Sequence, residues 1–251
     1  MPAMNRLPDL PTCCTALSGD WPLPIALPGC VWRCTKFSTA NFTFEDFARS
    51  AIAAPASIQR SMAKRQAEFL AGRLCARDAL LHLDGTLAPP AIGEDRAPVW
   101  PGHITGAITH SNGRAGALVA HKRDWQGLGI DLENMLSNGR AQRLANQILT
   151  PDELQRMAAG PTEDQALAVT LTFSIKESLF KALYPLVHKR FYFEHAQVLN
   201  WSKDGSVRLG LLTELSTEWY RGRVIEGQFA LLDGHVLSAV AIKALPAPKS
   251  I

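Results

Sequence analysis

The sequence has no run of apolar residues long enough to cross a membrane, and residues 1–11 lack the basic start and apolar stretch of a signal peptide. Its five cysteines are an odd number without a CxxC pair, which argues against a disulfide framework and against a zinc site built on cysteine pairs. It also lacks a repeat of solenoid period and a low-complexity tract. These absences predict a cytoplasmic protein with reduced thiols and no membrane partner.

Positive charge is concentrated in one segment of an otherwise ordinary sequence. Of the 251 residues, 47% are hydrophobic and 20% charged, and the net charge of +3 is too small to indicate nucleic-acid binding. Residues 58–83 contain five cations and two carboxylates, so their net charge of +3 equals that of the whole chain. The cations are Arg60, Lys64, Arg65, Arg73 and Arg77, and the carboxylates are Glu68 and Asp78. This segment therefore predicts a local anion site.

The order of predicted elements indicates an α+β fold. An irregular, proline-rich arm covers residues 1–29, and a boundary near residue 126 divides the chain into comparable halves, 1–126 and 127–251. Hydrophobic periodicity predicts helices over 58–83 and 163–184, and a further helix beginning with the capping box of Thr150 and Glu153. Alternation and turn residues predict strands over 31–37, 107–110, 115–120, 128–133, 190–201, 207–212, 229–233 and 236–242.

The helix over 163–184 is the element around which the site is predicted. Thr162 and Gln165 are placed as a capping box at its start, and Pro185 is expected to end it. Glu177 and Lys181 lie one turn apart and project from one face. A solvated ion pair explains these two residues equally well when they are considered alone.

Two acidic residues lie close together near the middle of the chain. Asp131 and Glu133 flank Leu132 in a predicted strand, so both carboxylates point to one side. With Glu177 as a third donor they predict a site for a hard cation such as magnesium, because no histidine or cysteine has matching spacing. The alternative is an exposed acidic pair at a strand end.

Several residues are candidates for binding phosphate. Thr109 and His110 close a strand just before a polar turn and offer a hydroxyl and a ring N–H. Lys176 and Lys181 add positive charge on the central helix. Arg65 and Arg73, eight residues apart in the earlier helix, are placed to hold separated phosphates of an extended ligand, and Arg96 lies in a Gly/Pro loop. Each of these residues also has a simple reading as a solvated side chain.

The combination of motifs resembles that of the 4'-phosphopantetheinyl transferases, in the Sfp-like branch and the enterobactin-synthetase component D group, close to the pseudomonad carrier-protein synthases. The match covers about residues 58–240, and Thr109 departs from it because many members carry serine there. The motifs, in chain order, are Lys64 to Arg73, Gly93 to Pro101, Thr109-His110, Gly129-Ile130-Asp131-Leu132-Glu133, Phe173-Ser174-Ile175-Lys176-Glu177-Ser178-Leu179-Phe180-Lys181 and Lys189 to Ala196.

The resemblance implies an enzyme that moves the 4'-phosphopantetheine arm of coenzyme A onto a serine of an apo acyl or peptidyl carrier protein and releases adenosine 3',5'-bisphosphate. Magnesium would be held by Asp131, Glu133 and Glu177. The catalytic base would be Glu177, or Asp131 working through a metal-bound water. Phosphate oxygens would contact Thr109, His110, Lys176, Lys181 and Arg96, while Arg65 and Arg73 would grip the 3'-phosphate.

The same resemblance implies two similar α+β halves related by a pseudo-twofold, with coenzyme A in the cleft between them, and a monomeric protein. The carrier would present an acidic helix beside its serine, and Lys189-Arg190-Phe191 is a candidate docking segment. Two other classes remain as alternatives. One is a magnesium-dependent nuclease or phosphatase using the same three acids, and the other is a non-catalytic binding module. Whether the carrier serves fatty-acid, siderophore or polyketide synthesis is left open.

Overall fold

The computed structural model describes residues 8–94 and 96–245. Within them, ten strands form a three-stranded sheet of order β1-β5-β4, a five-stranded sheet of order β6-β10-β9-β8-β7 and the small pair β2-β3. The strands are β1 Val31–Lys36, β2 Ala91–Ile92, β3 Pro98–Val99, β4 Ile104–Ser111, β5 Arg114–His121, β6 Trp125–Asn134, β7 Ala196–Trp201, β8 Ser206–Leu211, β9 Val224–Leu232 and β10 His235–Lys243. The helices are α1 Glu45–Arg49, α2 Ala56–Gln59, α3 Ala63–Asp84, α4 Asn138–Ile148, α5 Pro151–Ala159 and α6 Gln165–Val187.

The chain uses the same arrangement twice, which confirms the predicted α+β fold of two similar halves. In the first half, β1 is followed by α3 and the hairpin β4–β5, and the last strand lies in the middle of the order β1-β5-β4. In the second half, β6, α6 and the hairpin β9–β10 give the order β6-β10-β9, which β8 and β7 extend. Both hairpins turn through residues with positive φ, Asn112-Gly113 at 38° and 82° and Asp233-Gly234 at 40° and 78°. The split at residue 126, close to the start of β6, stays a prediction.

Two glycines allow the long helix of the second half to lie directly on β6. A Cβ on Gly129 would lie 1.8 Å from the Ser178 carbonyl oxygen, and one on Gly127 would lie 2.4 Å from that of Ala182. The odd-numbered positions of β6 therefore face α6. Asp131 continues this row toward the end of the strand, as does Glu133, so the packing of the helix decides where both carboxylates point.

Two hydrophobic cores support this arrangement. The first fills the space between α6 and the five-stranded sheet, with Leu171, Ile175, Leu179 and Leu183 fully buried. The second lies between the halves and includes Trp32, Leu118, Trp125, Leu128, Ile130 and Leu237. The irregular arm joins the second core through Leu23, and its Ile25 peptide exchanges hydrogen bonds of 2.8 and 3.0 Å with the side chain of Gln228.

Several predicted boundaries are wrong. The helix predicted over 58–83 is interrupted between Gln59 and Ala63. At the start of α6, Thr162 belongs to a 3₁₀ turn and no capping box forms. Pro185 lies inside the last turn of α6, where it is exposed and its missing N–H removes only one helical bond near the end.

The strand predicted over 190–201 begins only at Ala196. Phe191 and Phe193 were expected to alternate on a strand, but they lie in the preceding loop and 3₁₀ turn. Phe191 packs against Phe180 with ring centroids 5.3 Å apart, and Phe193 packs against Phe173 at 5.4 Å. The positions of these two rings are therefore determined by aromatic contacts with α6 rather than by strand pairing. In residues 8–94 and 96–245, no helix combines the length and the apolar character needed to span a membrane.

Candidate active site

The two halves meet where β4 and β6 end. The Thr109 hydroxyl, 2% exposed, accepts a hydrogen bond of 2.8 Å from the backbone N–H of Leu132. This bond ties the Thr-His strand end of the first half to the acidic strand end of the second. The predicted phosphate contact of Thr109 therefore depends on its remaining O–H donor.

Asp131 is only partly satisfied by the protein. Its Oδ1 accepts a hydrogen bond of 2.7 Å from Lys181 Nζ, which also donates to the Ile130 carbonyl at 3.0 Å. Its Oδ2 is buried and has no hydrogen-bond partner. An orphaned, buried carboxylate oxygen is costly in a finished core, so this atom marks a place for a ligand.

Glu133 and Glu177 share the electrostatic environment of Asp131. The pKa of Glu133 is raised to about 7, chiefly by burial and then by the charges of Asp131 and Glu177, while Lys181 opposes this shift. Burial also raises the pKa of Glu177, which Lys181 lowers and Asp131 raises. The helix thus brings its carboxylate close enough to sense the acidic end of β6.

The three carboxylates fit a divalent cation by their chemistry but do not form a ready-made cage. Among the side chains the structure describes, no group of three His, Cys, Asp or Glu residues converges to hold a metal ion. Lys181 occupies one oxygen of Asp131, whereas the other oxygen is free of protein partners. A hard cation would offset the burial and the repulsion from Asp131 that together raise the pKa of Glu133 and of Glu177.

Arg65 and His110 form one unit that links α3 to the end of β4. Arg65 Nη1 lies 2.8 Å from His110 Nε2, and Glu68 lies 3.6 Å from Arg65 and 3.8 Å from His110. Burial lowers the pKa of His110, with Glu68 opposing this effect, so the neutral ring can accept a hydrogen bond at Nε2 from the Arg65 N–H. The structure therefore brings together two residues that the sequence placed 45 positions apart.

Arg73 is a buried cation with an unused donor. Its side chain packs over the Phe69 ring at 4.9 Å, and its Nη2 donates a long bond of 3.3 Å to the Ala91 carbonyl. Its buried Nε has no partner. The pKa of Arg73 is lowered to about 10, chiefly by burial and in part by the charge of Arg65. An anion beside Arg73 would satisfy this group.

Arg96 is exposed on a left-handed turn with a φ of 69°, where its N–H donates to the Gly93 carbonyl at 2.9 Å. Its neighbour Asp95, which belongs to the same sequence motif, lies outside the described residues. The phosphate-binding role of Arg96 stays a prediction.

The prediction that Lys176 binds phosphate is wrong for this structure. Lys176 is 3% exposed, and its Nζ donates to Glu153 Oε2 at 2.7 Å, to the Ile148 carbonyl at 2.9 Å and to the Phe193 carbonyl at 3.0 Å. An ammonium group has three donors, and all three are used. The predicted capping box of Glu153 with Thr150 is confirmed. The contact between Glu153 and Lys176 has no local sequence signal.

A cavity of about 160 Å³ opens beside Glu177. Half of its lining residues are aromatic, and two are cations. The aromatic residues are Phe180, Phe191, Tyr192 and Phe193, and the cations are Lys176 and Arg190. The carboxylate of Glu177 thus lies between an acidic strand end and an apolar cavity. This arrangement suits a ligand with a charged part and an apolar arm.

Two family models match the chain, the 4'-phosphopantetheinyl transferase N-terminal domain over residues 53–120 and the 4'-phosphopantetheinyl transferase superfamily over residues 127–240. Enterobactin synthase component D of Escherichia coli (strain K12) is 38% identical over 169 residues, which are 67% of this chain and 77% of that protein. The 4'-phosphopantetheinyl transferase Npt of Nocardia iowensis is 31% identical over 194 residues, 73% of this chain and 85% of that protein.

The chain belongs to the 4'-phosphopantetheinyl transferase family. It is a Sfp-like member of the enterobactin synthase component D group and an enzyme that transfers phosphopantetheine to apo carrier proteins. The transferase PptT of Mycobacterium tuberculosis is also similar, at 33% identity over 190 residues, 75% of each chain. The first family model ends near the end of β5, and the second begins within β6.

Proposed function

We propose that the donor is coenzyme A, that the reaction requires Mg²⁺, and that adenosine 3',5'-bisphosphate leaves when a carrier serine is loaded. The observation that supports this most is the orphaned Oδ2 of Asp131, buried among two further carboxylates and a lysine at the meeting of the halves. Such an oxygen lacks a partner that a bound cation would provide.

The ligands of the cation would be Asp131, Glu133 and Glu177. When bound, magnesium supplies charge neutralisation to the pyrophosphate of the donor. Lys181 is hydrogen-bonded to Asp131, and its side chain is 27% exposed, so its ammonium group would also hold a phosphate oxygen. His110 and Thr109 lie across from it on β4, and Arg96 would assist from its loop.

The 3'-phosphate of the donor would lie between Arg65 and Arg73. Both residues are on α3, and the pKa of Arg73 is lowered by burial and also by the charge of Arg65. The unused Nε of Arg73 would donate to a phosphate oxygen. This role accounts for the concentration of positive charge in this segment of the chain.

The pantetheine arm would occupy the aromatic cavity beside Glu177. The cavity's volume of about 160 Å³ suits a narrow, mostly apolar chain, and its lining includes Glu177, one of the three proposed metal ligands. Its rim carries Arg190 and Tyr192, the latter 60% exposed. An acidic helix of a carrier would be attracted to Arg190 and to the neighbouring Lys189, which is exposed and donates to the Glu214 carbonyl.

The carrier serine must lose a proton as its Oγ forms a bond to the β-phosphorus and the bond to the leaving α-phosphate oxygen breaks. The raised pKa of Glu177 favours its carboxylate as the acceptor of that proton, but a bound cation lowers the pKa of its own ligands. Asp131, acting through a water molecule, is the rival acceptor.

We further propose that the enzyme is a cytoplasmic monomer.

A loading assay tests the proposal. Purified protein, Mg²⁺ and labelled coenzyme A should label an apo carrier protein, and Glu177→Ala should abolish labelling. The matched control is Glu163→Ala, which removes an exposed glutamate of the 3₁₀ turn before α6 and should load normally. Normal loading by Glu177→Ala would remove this residue from the mechanism. A panel of apo carriers compared by kcat/KM would then identify the preferred acceptor.

The structure argues against the alternative of a magnesium-dependent nuclease with the common acid-acid-lysine arrangement. That arrangement needs its glutamate and lysine two apart on a strand. Here Glu177 and Lys181 are one turn apart on α6. Release of nucleotides from DNA or RNA at a rate comparable with carrier loading would revive this alternative.

A further inference from the structure

Glu153 joins three elements through one buried carboxylate. Its Oε2 accepts from the N–H of Thr150 at 2.7 Å, which caps α5, and from Lys176 at 2.7 Å. Its Oε1 accepts from the N–H of Val198 at 2.6 Å, on the outer edge strand β7. Both side chains of the pair are nearly inaccessible, at 4% for Glu153 and 2% for Lys176.

Lys176 extends these connections to the cavity beside Glu177. Its other two donors hold the carbonyl of Ile148, at the end of α4, and that of Phe193, in the cavity wall. Lys176 precedes Glu177 directly on α6 and itself lines the cavity. The Phe193 bond therefore spans from the helix that carries the reactive carboxylate to the wall that faces it.

We infer that the Lys176–Glu153 pair is a positioning unit for the transfer reaction, which holds the aromatic wall of residues 191–193 at a fixed place beside Glu177. The inference rests on the proposed function, because it assumes that the donor's arm lies in this cavity. Neither residue contacts the reacting atoms. The pair acts through its hydrogen bond to the Phe193 carbonyl and by fixing the positions of α5, α6 and β7 relative to one another.

The pair has the features expected of a support for a site. Its hydrogen bonds are complete, so it has no donor left for a substrate. Its backbone partners lie at the end of α4, on β7 and in the cavity wall. A wall that moves by about 1 Å is enough to cost up to about 100-fold in rate in a well-fitted site. Loss of the Lys176 ammonium group frees the Phe193 carbonyl and leaves the chemical identity of the other lining side chains unchanged.

The experiment compares Lys176→Met, the neutral double variant Lys176→Met/Glu153→Gln and the wild type, at a temperature where each is folded. The control is Arg33→Met, which breaks the ion pair of 2.9 Å between Arg33 and Asp78 on the other half. We measure KM for coenzyme A, kcat for an apo carrier, and the rate of trypsin cleavage after Lys189 and Arg190, which flank the wall and are exposed.

The expected result is a KM for coenzyme A raised about tenfold or more, a smaller loss in kcat and faster tryptic cleavage of the loop in both Lys176 variants. Arg33→Met should lower the Tm without changing KM or the cleavage rate. A folded double variant with wild-type KM and wild-type cleavage would overturn the inference.

Hydrogen exchange of the unaltered protein decides the question if neither Lys176 variant folds. The Val198 amide should then exchange slowly, because Glu153 holds it, whereas exchange as fast as in the exposed loop at residues 188–190 would overturn the inference. A wild-type protein that loads no carrier from coenzyme A would refute the proposed function. The trypsin and exchange measurements would still report on the pair in that case.

Discussion

Helix α6 carries two lysine–carboxylate pairs that have the same length and different surroundings. Lys176–Glu153 and Lys181–Asp131 are both 2.7 Å apart. The first pair is 2% and 4% exposed, and both carboxylate oxygens have partners. In the second, Lys181 is 27% exposed, Asp131 Oδ2 has no partner, and the neighbouring Glu133 and Glu177 have raised pKa values.

This comparison shows that the distance within an ion pair does not distinguish structure from function. What differs is whether the remaining donors and acceptors are satisfied. A complete pair stabilises the elements that it joins, whereas a pair with an orphaned buried atom leaves a place for a ligand. We expect the two pairs to respond in opposite ways when they are altered.

The largest effect should be on stability, at the complete pair. Glu153→Ala leaves the buried Lys176 ammonium without its counter-charge and should lower the free energy of unfolding by about 3–5 kcal/mol. Urea denaturation measures this change. Asp131→Ala is the matched variant at the other pair and should cost about 1 kcal/mol or less, since Lys181 can reach water. Equal losses at the two sites would contradict the distinction.

The next effect should be on activity, at the incomplete pair. Asp131→Asn keeps the shape but removes the charge that the cation needs, so kcat/KM for carrier loading should fall by about 100-fold or more. The urea midpoint should stay near that of the wild type. A variant with full activity, or one that loses as much stability as Glu153→Ala, would break the assignment of Asp131 to the site.

A smaller effect on donor preference is expected at Arg73, a cation with a buried donor that has no hydrogen-bond partner. Arg73 has an unused Nε, so Arg73→Met should reduce the preference for coenzyme A over its 3'-dephospho form by about tenfold. The ratio of the two kcat/KM values measures this preference, and the 3'-dephospho donor serves as the internal control. An equal loss with both donors would mean that Arg73 serves packing alone.

The smallest effect should be the pH dependence of stability. Between pH 4.5 and about 7, the folded chain holds a proton on Glu133 that the unfolded chain has lost, because the pKa of Glu133 is raised from 4.5 to about 7. Stability should therefore fall as pH rises through this window in the metal-free protein, and Glu133→Gln should flatten the curve. Thermal unfolding in the presence of a chelator measures it. A slope that survives in Glu133→Gln would have another origin.

The sequence predicted the elements whose patterns are local. Alternation located β6 and the carboxylates on its face toward α6, and the turns at Asn112-Gly113 and Asp233-Gly234 were recognisable from composition. The family motifs added the grouping of Arg65, Thr109, His110, Asp131 and Glu177. The repeated order of strands in the two halves depends on pairings between distant strands, and it became visible only in the structure.

The role of Lys176 could not be predicted from sequence, because it depends on the direction of its side chain and on a partner far away in the chain. Lys176 and Lys181 stand in one motif, yet five positions on a helix turn a side chain by about 140°. Only Lys181 therefore points toward β6, whereas Lys176 points toward α5. Glu153, its partner, lies 23 positions earlier, and a helix-capping signal accounted for it without any contact to α6.

The most direct test is a crystal structure of the protein with Mn²⁺ and coenzyme A, in which anomalous scattering locates the metal. The account predicts one metal ion per chain, held by Asp131, Glu133 and Glu177 against the pyrophosphate, with Lys176 still paired with Glu153. A metal bound away from these carboxylates, or a donor bound outside the meeting of β4 and β6, would contradict it.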